Sequence, residues 1–214
     1  MDKKLSENEK EFLTDKMSID LVHLEEKINS LELKGDKALV NYIISSFISS
    51  VNKCNGKQYI SDTFERAVES IVFGGELYCF LDTLRHAFNS FVAGGLYDLY
   101  IYQEREQWYP KITLSSELKP NDIVKLPMFF DIYRGCDESE LYNKQYGQSW
   151  SRSLDVAKEF AYTHYVSQSW YKKADRCILT TKIARNIVLF SMQSSHEKEI
   201  VPVIKKLINV QLIS

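Results

Sequence analysis

The first hundred residues repeat apolar side chains at intervals of three and four, the spacing of helices that bury one face. Ser6 begins this pattern, and Glu9 three residues later completes the spacing of a capping box. Glycines divide the pattern into four helices, because glycine adopts the left-handed conformation that ends a helix. The predicted helices run from 6 to Gly35, from about 39 to Gly56, from 61 or 62 to 74–75, and from 76 to 94–95.

Beyond residue 110 the pattern changes to short β-branched runs separated by polar residues, which is typical of strands. One helical stretch, residues 154–166, interrupts these runs, with Ser153 as its N-cap. The sequence therefore predicts an α+β chain, with a helical subdomain at 1–106 and a strand-rich domain at 107–214. The predicted strands are 123–126, 129–133, 177–183, 187–190, 199–204 and 207–213.

Composition narrows the class of protein without identifying its ligand. The 214 residues carry a net charge of −2, so the chain as a whole is not a polycation suited to duplex nucleic acid. Residues 1–110 have 12 Lys/Arg against 18 Asp/Glu, whereas residues 111–214 have 15 against 11. A positive second half suits an anionic ligand or partner, although ordinary fluctuation explains an imbalance of this size equally well.

The four cysteines, at 54, 79, 136 and 177, form no CxxC pair and no Cys/His cluster. This spacing predicts neither a metal site nor a compact disulfide framework. The first ten residues contain no apolar stretch, and no later run approaches the roughly 20 apolar residues of a membrane helix. We therefore expect a cytoplasmic protein of a reducing compartment, with no metal and no membrane partner.

Three short stretches of the second half contain residue types used in catalysis. In the first, Arg134 and Gly135 follow an apolar strand, where a planar guanidinium beside a small residue can grip a phosphate or a carboxylate. In the second, the alternation of a strand predicts the hydroxyls of Ser149 and Ser151 on one side and the indole of Trp150 on the other. Each of these stretches alone is also explained by ordinary surface structure.

The third stretch contains two glutamates, Glu197 and Glu199, where the predicted strand 199–204 begins. Their spacing predicts both carboxylates on one side of that strand. Together and in this order, the three stretches resemble the Arg–Ser–Glu class of mono-ADP-ribosyltransferases, which includes many bacterial toxins and phage enzymes. The resemblance covers roughly residues 123–203 and implies a split β-sheet core of the ADP-ribosyltransferase type. It does not extend to the helical half.

The resemblance implies a reaction in which nicotinamide is displaced from NAD. The transition state is similar to an oxocarbenium ion, as in glycoside cleavage. Glu199 would stabilise the positive charge that develops on the ribose, and Ser149 would orient Glu199 beside the bound NAD. Glu197 would position or deprotonate the incoming acceptor.

The remaining motif residues would bind NAD as the substrate. Arg134 would hold the phosphates and ribose of NAD, and the backbone of Gly135 would pair with the nicotinamide amide. Ser151 would support the strand behind the site. An aromatic ring, from Tyr162 or Tyr171, would stack on nicotinamide, although core packing explains each of these tyrosines better.

The implied enzyme is a NAD-consuming glycosyltransferase whose acceptor the sequence leaves open. The Glu-x-Glu loop favours a protein arginine, whereas some phage-defence toxins of this fold modify RNA bases, mRNA included. A cytoplasmic toxin of a toxin–antitoxin or phage-defence system fits a chain of this size, with an antitoxin or regulatory protein as a further partner. The helical half would bind the target or partner, or serve structure alone. The alternatives are a NAD glycohydrolase and a non-catalytic binding module of the same fold.

Overall fold

A computed structural model of the chain describes residues 4–31, 36–103 and 110–213. The chain divides into two compact units, residues 1–113 and residues 114–214. The described residues contain seven α-helices and a six-stranded antiparallel sheet, which confirms the α+β class. The predicted helix stop at Gly35 and the predicted domain boundary at 106/107 lie outside the described residues. No helix in these described ranges is long and apolar enough to span a membrane.

The first unit is built from helices that bury their apolar faces against one another. The rings of Phe47 and Phe88 are fully buried in its core, with their centroids 5.3 Å apart. The helical character predicted from the apolar spacing is therefore confirmed. The helices are α1 (Glu7–Glu11), α2 (Leu21–Ser30), α3 (Asp36–Ser50), α4 (Gly56–Val68) and α5 (Glu76–Ile101).

The predicted first helix is wrong in its continuity, because it is broken after α1. A π-helical segment at Phe12–Lys16 follows α1, and Ser18 then takes a left-handed conformation with φ of 53°. Ile19 pairs with Ile112 in an isolated antiparallel bridge, and Asp20 becomes the N-cap of α2. Buried residues recur on both sides of the break at helical spacing, so the apolar pattern alone does not reveal it.

Of the predicted helix ends, some are confirmed and others are wrong. The capping box is confirmed, since the Ser6 N–H donates to the Glu9 carboxylate at 2.7 Å and the Glu9 N–H donates to Ser6 Oγ at 3.4 Å. Gly56 begins α4 instead of ending α3, and a Cβ at this position would lie 2.7 Å from the carbonyl oxygen of Ser50. The helix that begins at Glu76 is interrupted at Gly94 and Gly95, as predicted: both have non-helical backbone, with φ of 66° at Gly95, and a second helical segment continues α5 beyond this kink to residue 101.

The second unit is a sheet covered by a short helix. All neighbouring strands are antiparallel, in the order β4-β5-β2-β1-β3-β6. The strands are β1 (Phe129–Asp137), β2 (Trp150–Ser151), β3 (Arg176–Ala184), β4 (Val188–Met192), β5 (Glu199–Pro202) and β6 (Gln211–Ile213). The helices are α6 (Ser139–Asn143) and α7 (Leu154–Tyr162).

Five of the six predicted strands are confirmed, and one is wrong. Residues 123–126 were expected to form a strand from their apolar character, but Ile123–Lys125 is a 3-10 turn. The turn closes on itself, because the N–H groups of Lys125 and Leu126 donate to the carbonyls of Asp122 and Ile123. Asp122 attaches the turn to the end of β4, through bonds to the Ser191 carbonyl and the Gln193 N–H, but no strand ladder forms. The last strand is shorter than the predicted 207–213, and α7 ends at residue 162 instead of 166.

The two-residue strand β2 links the β4–β5 pair to the β1–β3–β6 part of this sheet. It shares one residue pair with β1, Tyr133 with Ser151, and two with β5, Trp150 with Ile200 and Ser151 with Glu199. Trp150 is buried in the core of this unit, as the alternation predicted. The candidate site residues therefore lie where β1, β2 and β5 meet.

Candidate functional site

The predicted serine and glutamate meet at the junction of β2 and β5. Ser149 Oγ donates a hydrogen bond to Glu199 Oε1 at 2.8 Å, although the two residues are 50 positions apart in sequence. The contact follows from sheet register, because Glu199 pairs with Ser151 across the β2–β5 ladder. Ser149 is exposed and Glu199 half-buried, so this carboxylate is fixed by a protein donor while a ligand can still reach it.

The second glutamate lies in a turn and not in the strand. β5 begins at Glu199, and Lys198 between the two glutamates takes a left-handed conformation with φ of 46°. The alternation argument that predicted both carboxylates on one side therefore does not apply. Glu197 has an exposed side chain, and its backbone carbonyl accepts a hydrogen bond from Ser151 Oγ at 2.6 Å. The buried Ser151 thus anchors the glutamate turn to β2.

A glutamine that the sequence analysis missed also holds the glutamate turn. Gln193 Nε2 donates to the backbone carbonyls of Lys198 at 3.2 Å and Glu199 at 3.1 Å. The Gln193 N–H in turn donates to the Asp122 carboxylate at 2.7 Å. No motif marks this residue, since an amide side chain that binds backbone carbonyls is recognised only once the turn is folded.

The predicted phosphate-binding arginine is held by a protein carboxylate. Arg134 Nε donates to Glu140 Oε2 at 2.8 Å and Arg134 Nη2 donates to Glu140 Oε1 at 2.7 Å, so the pair is bidentate. Arg134 Nη1 donates to the Ser149 carbonyl at 2.6 Å. The side chains of Arg134 and Glu140 are only 13% and 17% exposed. The sequence analysis missed Glu140, which lies on α6 between the predicted motifs.

The electrostatics of Glu140 show how strongly this pair is coupled. Burial alone would raise the pKa of its carboxyl, but the charge and hydrogen bonds of Arg134, with the Gly147 N–H, more than offset burial. The pKa of Glu140 is therefore lowered, and the group is charged at neutral pH. The Gly147 N–H lies 2.8 Å from Glu140 Oε2.

Two glycines near the site are required by packing. A Cβ at Gly147 would collide with the guanidinium of Arg134, and a Cβ at Gly135 would collide with the backbone of α7 at Ala157 and Ala161. Gly135 was predicted to allow close approach of a ligand to the backbone. In this structure the close approach it allows is that of α7 to β1.

The predicted aromatic candidates make contacts within the protein. Tyr162 packs against the small core formed by Ala157, Ala161 and Ile178, and the Tyr171 hydroxyl donates to the Ala161 carbonyl at 3.2 Å. Both contacts favour the packing role given to these tyrosines above. No group of three His, Cys, Asp or Glu side chains within residues 4–31, 36–103 and 110–213 is arranged to hold a metal ion.

Comparison of the chain with protein-family models, curated proteins and solved structures finds no match.

Proposed function

We propose that this chain is a NAD-dependent mono-ADP-ribosyltransferase that transfers ADP-ribose to an intracellular macromolecule and releases nicotinamide. The observation that carries the proposal is the 2.8 Å hydrogen bond from Ser149 Oγ to Glu199 Oε1. The resemblance pairs these two residue types in the same roles. The contact joins positions 50 residues apart, and sheet register rather than chain proximity produces it.

In this proposal Glu199 is the catalytic carboxylate. Loss of nicotinamide leaves positive charge on the anomeric carbon of the ribose, and a fixed carboxylate beside that carbon stabilises it. The bond from Ser149 keeps the carboxylate in one orientation before the charge develops. Such preorganisation matters because a group that must first reorient gives back part of the stabilisation.

Glu197 acts on the acceptor in the same proposal. Its side chain is exposed, so a macromolecule can reach it, while its backbone is tied to β2 through Ser151. A carboxylate in this position can orient a guanidinium or accept a proton from the attacking group. An arginine of a protein is the acceptor that we favour, with an RNA base as the second.

The NAD-binding residues fit the proposal unequally. Ser149 and Glu199 are accessible and face each other, which suits contact with the nicotinamide ribose. Arg134 is mostly buried and binds Glu140 and the Ser149 carbonyl, so its guanidinium supports the site from behind. Gly135 is buried under α7, and we assign it packing rather than contact with nicotinamide.

The biological setting is part of the proposal. A cytoplasmic toxin of a toxin–antitoxin or phage-defence system would need an acceptor in its own cell or in the infecting phage, and a partner that controls it. The net negative charge of the helical half suits a basic partner surface.

The test is incubation of the protein with NAD labelled in the adenylate part and with whole-cell extract, followed by protease or RNase. Label removed by protease identifies a protein acceptor, and label removed by RNase identifies RNA. Release of nicotinamide without labelled macromolecule indicates a NAD glycohydrolase, and no release indicates a binding module. Either of the last two results contradicts the transferase proposal.

The variant Glu197→Gln separates the two glutamates in the same assay. We expect it to lose transfer to the macromolecule and to retain slow hydrolysis of NAD, because the carboxylate beside the ribose is intact. Parallel loss of both activities would show that the glutamates act as one unit on NAD.

A further inference from the structure

The buried carboxylate of Glu140 begins a chain of contacts that ends at the proposed catalytic glutamate. Glu140 accepts two hydrogen bonds along one edge of the Arg134 guanidinium, from Nε at 2.8 Å and from Nη2 at 2.7 Å, and Arg134 Nη1 donates to the Ser149 carbonyl at 2.6 Å. The hydroxyl of the same Ser149 donates to Glu199 Oε1 at 2.8 Å. Four parts of the fold are joined in this way: α6, β1, the residue that precedes β2, and the start of β5.

The geometry of the guanidinium explains why the carboxylate matters. A guanidinium is planar and its donors are fixed in direction, so two bonds to one carboxylate leave a single orientation for the group. In that orientation Nη1 points at the Ser149 carbonyl. A lone hydrogen bond from Arg134 to that carbonyl would leave the guanidinium free to rotate about its side-chain torsions.

The backbone around Ser149 is fixed on the same side by Glu140 itself. The Gly147 N–H donates to Glu140 Oε2 at 2.8 Å, and the Gly147 carbonyl accepts from Trp150 Nε1 at 3.0 Å. The missing side chain at Gly147 makes room for the guanidinium of Arg134. Glu140 therefore binds both the arginine and the loop that the arginine orients.

We propose that Glu140 is a positioning residue, which locks Arg134 against the Ser149 carbonyl and thereby aims Ser149 Oγ at Glu199. The inference rests on the proposed function, since its catalytic consequence requires that Glu199 act on NAD. It also assigns Arg134 a different task from direct binding of the NAD phosphates, because its guanidinium fork binds Glu140. Arg134 acts through Ser149.

The test compares Glu140→Gln with Glu138→Gln, each alone and combined with Ser149→Ala. Glu138 is the N-cap residue of α6, lies two positions before Glu140, and makes no side-chain capping bond to the helix. It is therefore a matched control for loss of a carboxylate in this helix. The kcat and KM for nicotinamide release from NAD are measured for all variants.

We expect Glu140→Gln to lower kcat about 10- to 100-fold with a KM for NAD within threefold of the parent, since a misaimed group slows the chemical step. In the Ser149→Ala background the same change should have almost no further effect, because both changes break one chain of contacts. Glu138→Gln should leave both constants unchanged. Additive losses, or a loss confined to KM, would overturn the positioning role.

A second measurement separates this inference from the proposed function. In protein labelled with 13C at the glutamate carboxyls, we expect Glu140→Gln and Ser149→Ala to move the Glu199 resonance, and Glu138→Gln to leave it in place. An unmoved resonance in Glu140→Gln overturns the inference even if the parent cleaves NAD. A parent that does not cleave NAD overturns the proposed function, while a moved resonance still supports the positioning. If Glu140→Gln does not fold, Glu140→Asp gives the same comparisons.

Discussion

Two acid–arginine pairs, one in each unit, differ in what they connect. On α5 of the helical unit, Arg85 Nε donates to Asp82 at 2.9 Å, and the two residues are three positions apart on one helix face. In the strand unit, Arg134 on β1 binds Glu140 on α6 and also the Ser149 carbonyl. Both members of the first pair lie on one helix, and Arg85 also lies over the Phe64 ring of α4 at 5.0 Å, whereas the second pair is hydrogen-bonded across three segments of the chain.

The comparison shows that two pairs of the same residue types can differ in their contribution to stability, because they differ in burial and in the segments that they connect. The side chains of Asp82 and Arg85 are 31% and 22% exposed, against 17% and 13% for Glu140 and Arg134. Water still solvates the first pair in part, so losing one partner costs little. Losing one partner of the second leaves a charge that water cannot easily reach.

Replacing the acid of each pair with alanine should give the largest difference in stability loss between the two pairs. We expect Glu140→Ala to lower the free energy of unfolding by about 3 kcal/mol, because it removes the carboxylate that accepts hydrogen bonds from Arg134 and from the Gly147 N–H. Asp82→Ala should lower it by less than about 1 kcal/mol. Urea unfolding followed by circular dichroism and by tryptophan fluorescence measures both. Equal losses would contradict the distinction drawn between the two pairs.

The glycines of the two units offer a second comparison. At Gly135 an added Cβ meets the backbone of α7, which cannot move aside, whereas at Gly94 it meets only the side chain of Asp98. Gly135→Ala should therefore cost about 2 kcal/mol of stability, and Gly94→Ala less than about 1 kcal/mol. Thermal unfolding of the two variants checks this. A tolerated alanine at 135 would mean that α7 does not lie as close to β1 as described.

The stability that Glu140 contributes should depend on pH in a defined direction. Burial raises the pKa of its carboxyl, but Arg134 lowers it further than burial raises it, so the folded-state pKa lies below the unfolded value of about 4.3. The contribution is therefore complete above pH 5 and is lost as pH falls through the folded-state pKa. The gap in unfolding free energy between parent and Glu140→Ala should shrink in acid. The cost of Gly135→Ala should not change with pH, and a constant gap for Glu140→Ala would contradict the assignment.

The smallest predicted effect is at the first helix of the other unit. Ser6→Ala removes the acceptor of the Glu9 N–H and should cost about 0.5–1 kcal/mol, the usual value of an exposed N-cap. Asn8→Ala, a change at an exposed residue within the same short helix α1, serves as the control. Differential scanning calorimetry can resolve the two. A stability loss as large as that of Glu140→Ala would show that the cap of α1 contributes more to stability than an exposed N-cap does.

The sequence predicted the type and position of most helices and strands, but it did not predict the contacts between residues far apart in the chain. The reasons are physical. Apolar spacing and caps are local, so the helices and five of the six strands could be found, and the Ser6 capping box is confirmed. The break at Ser18 depends on a bridge to Ile112, almost a hundred residues away. No local pattern contains that information.

The same limit applies to the candidate site. Ser149 and Glu199 could be paired in advance only because the motif order resembles that of a known family. Glu140 and Gln193 belong to no motif, and their importance arises from what the folded chain places beside them. A glutamate on a short surface helix gives no sign in the sequence that it will be buried against an arginine of the preceding strand.

The most direct test of the account is the rate of nicotinamide release by Glu199→Gln. The substitution keeps the shape of the side chain and removes the charge that, in the proposed function, stabilises the ribose cation, so we predict a fall of roughly 10²- to 10³-fold in kcat. Glu138→Gln, measured in parallel, should match the parent, and both variants should unfold at the parent's temperature. A Glu199→Gln protein that is folded and releases nicotinamide within a few-fold of the parent rate would contradict the central claim.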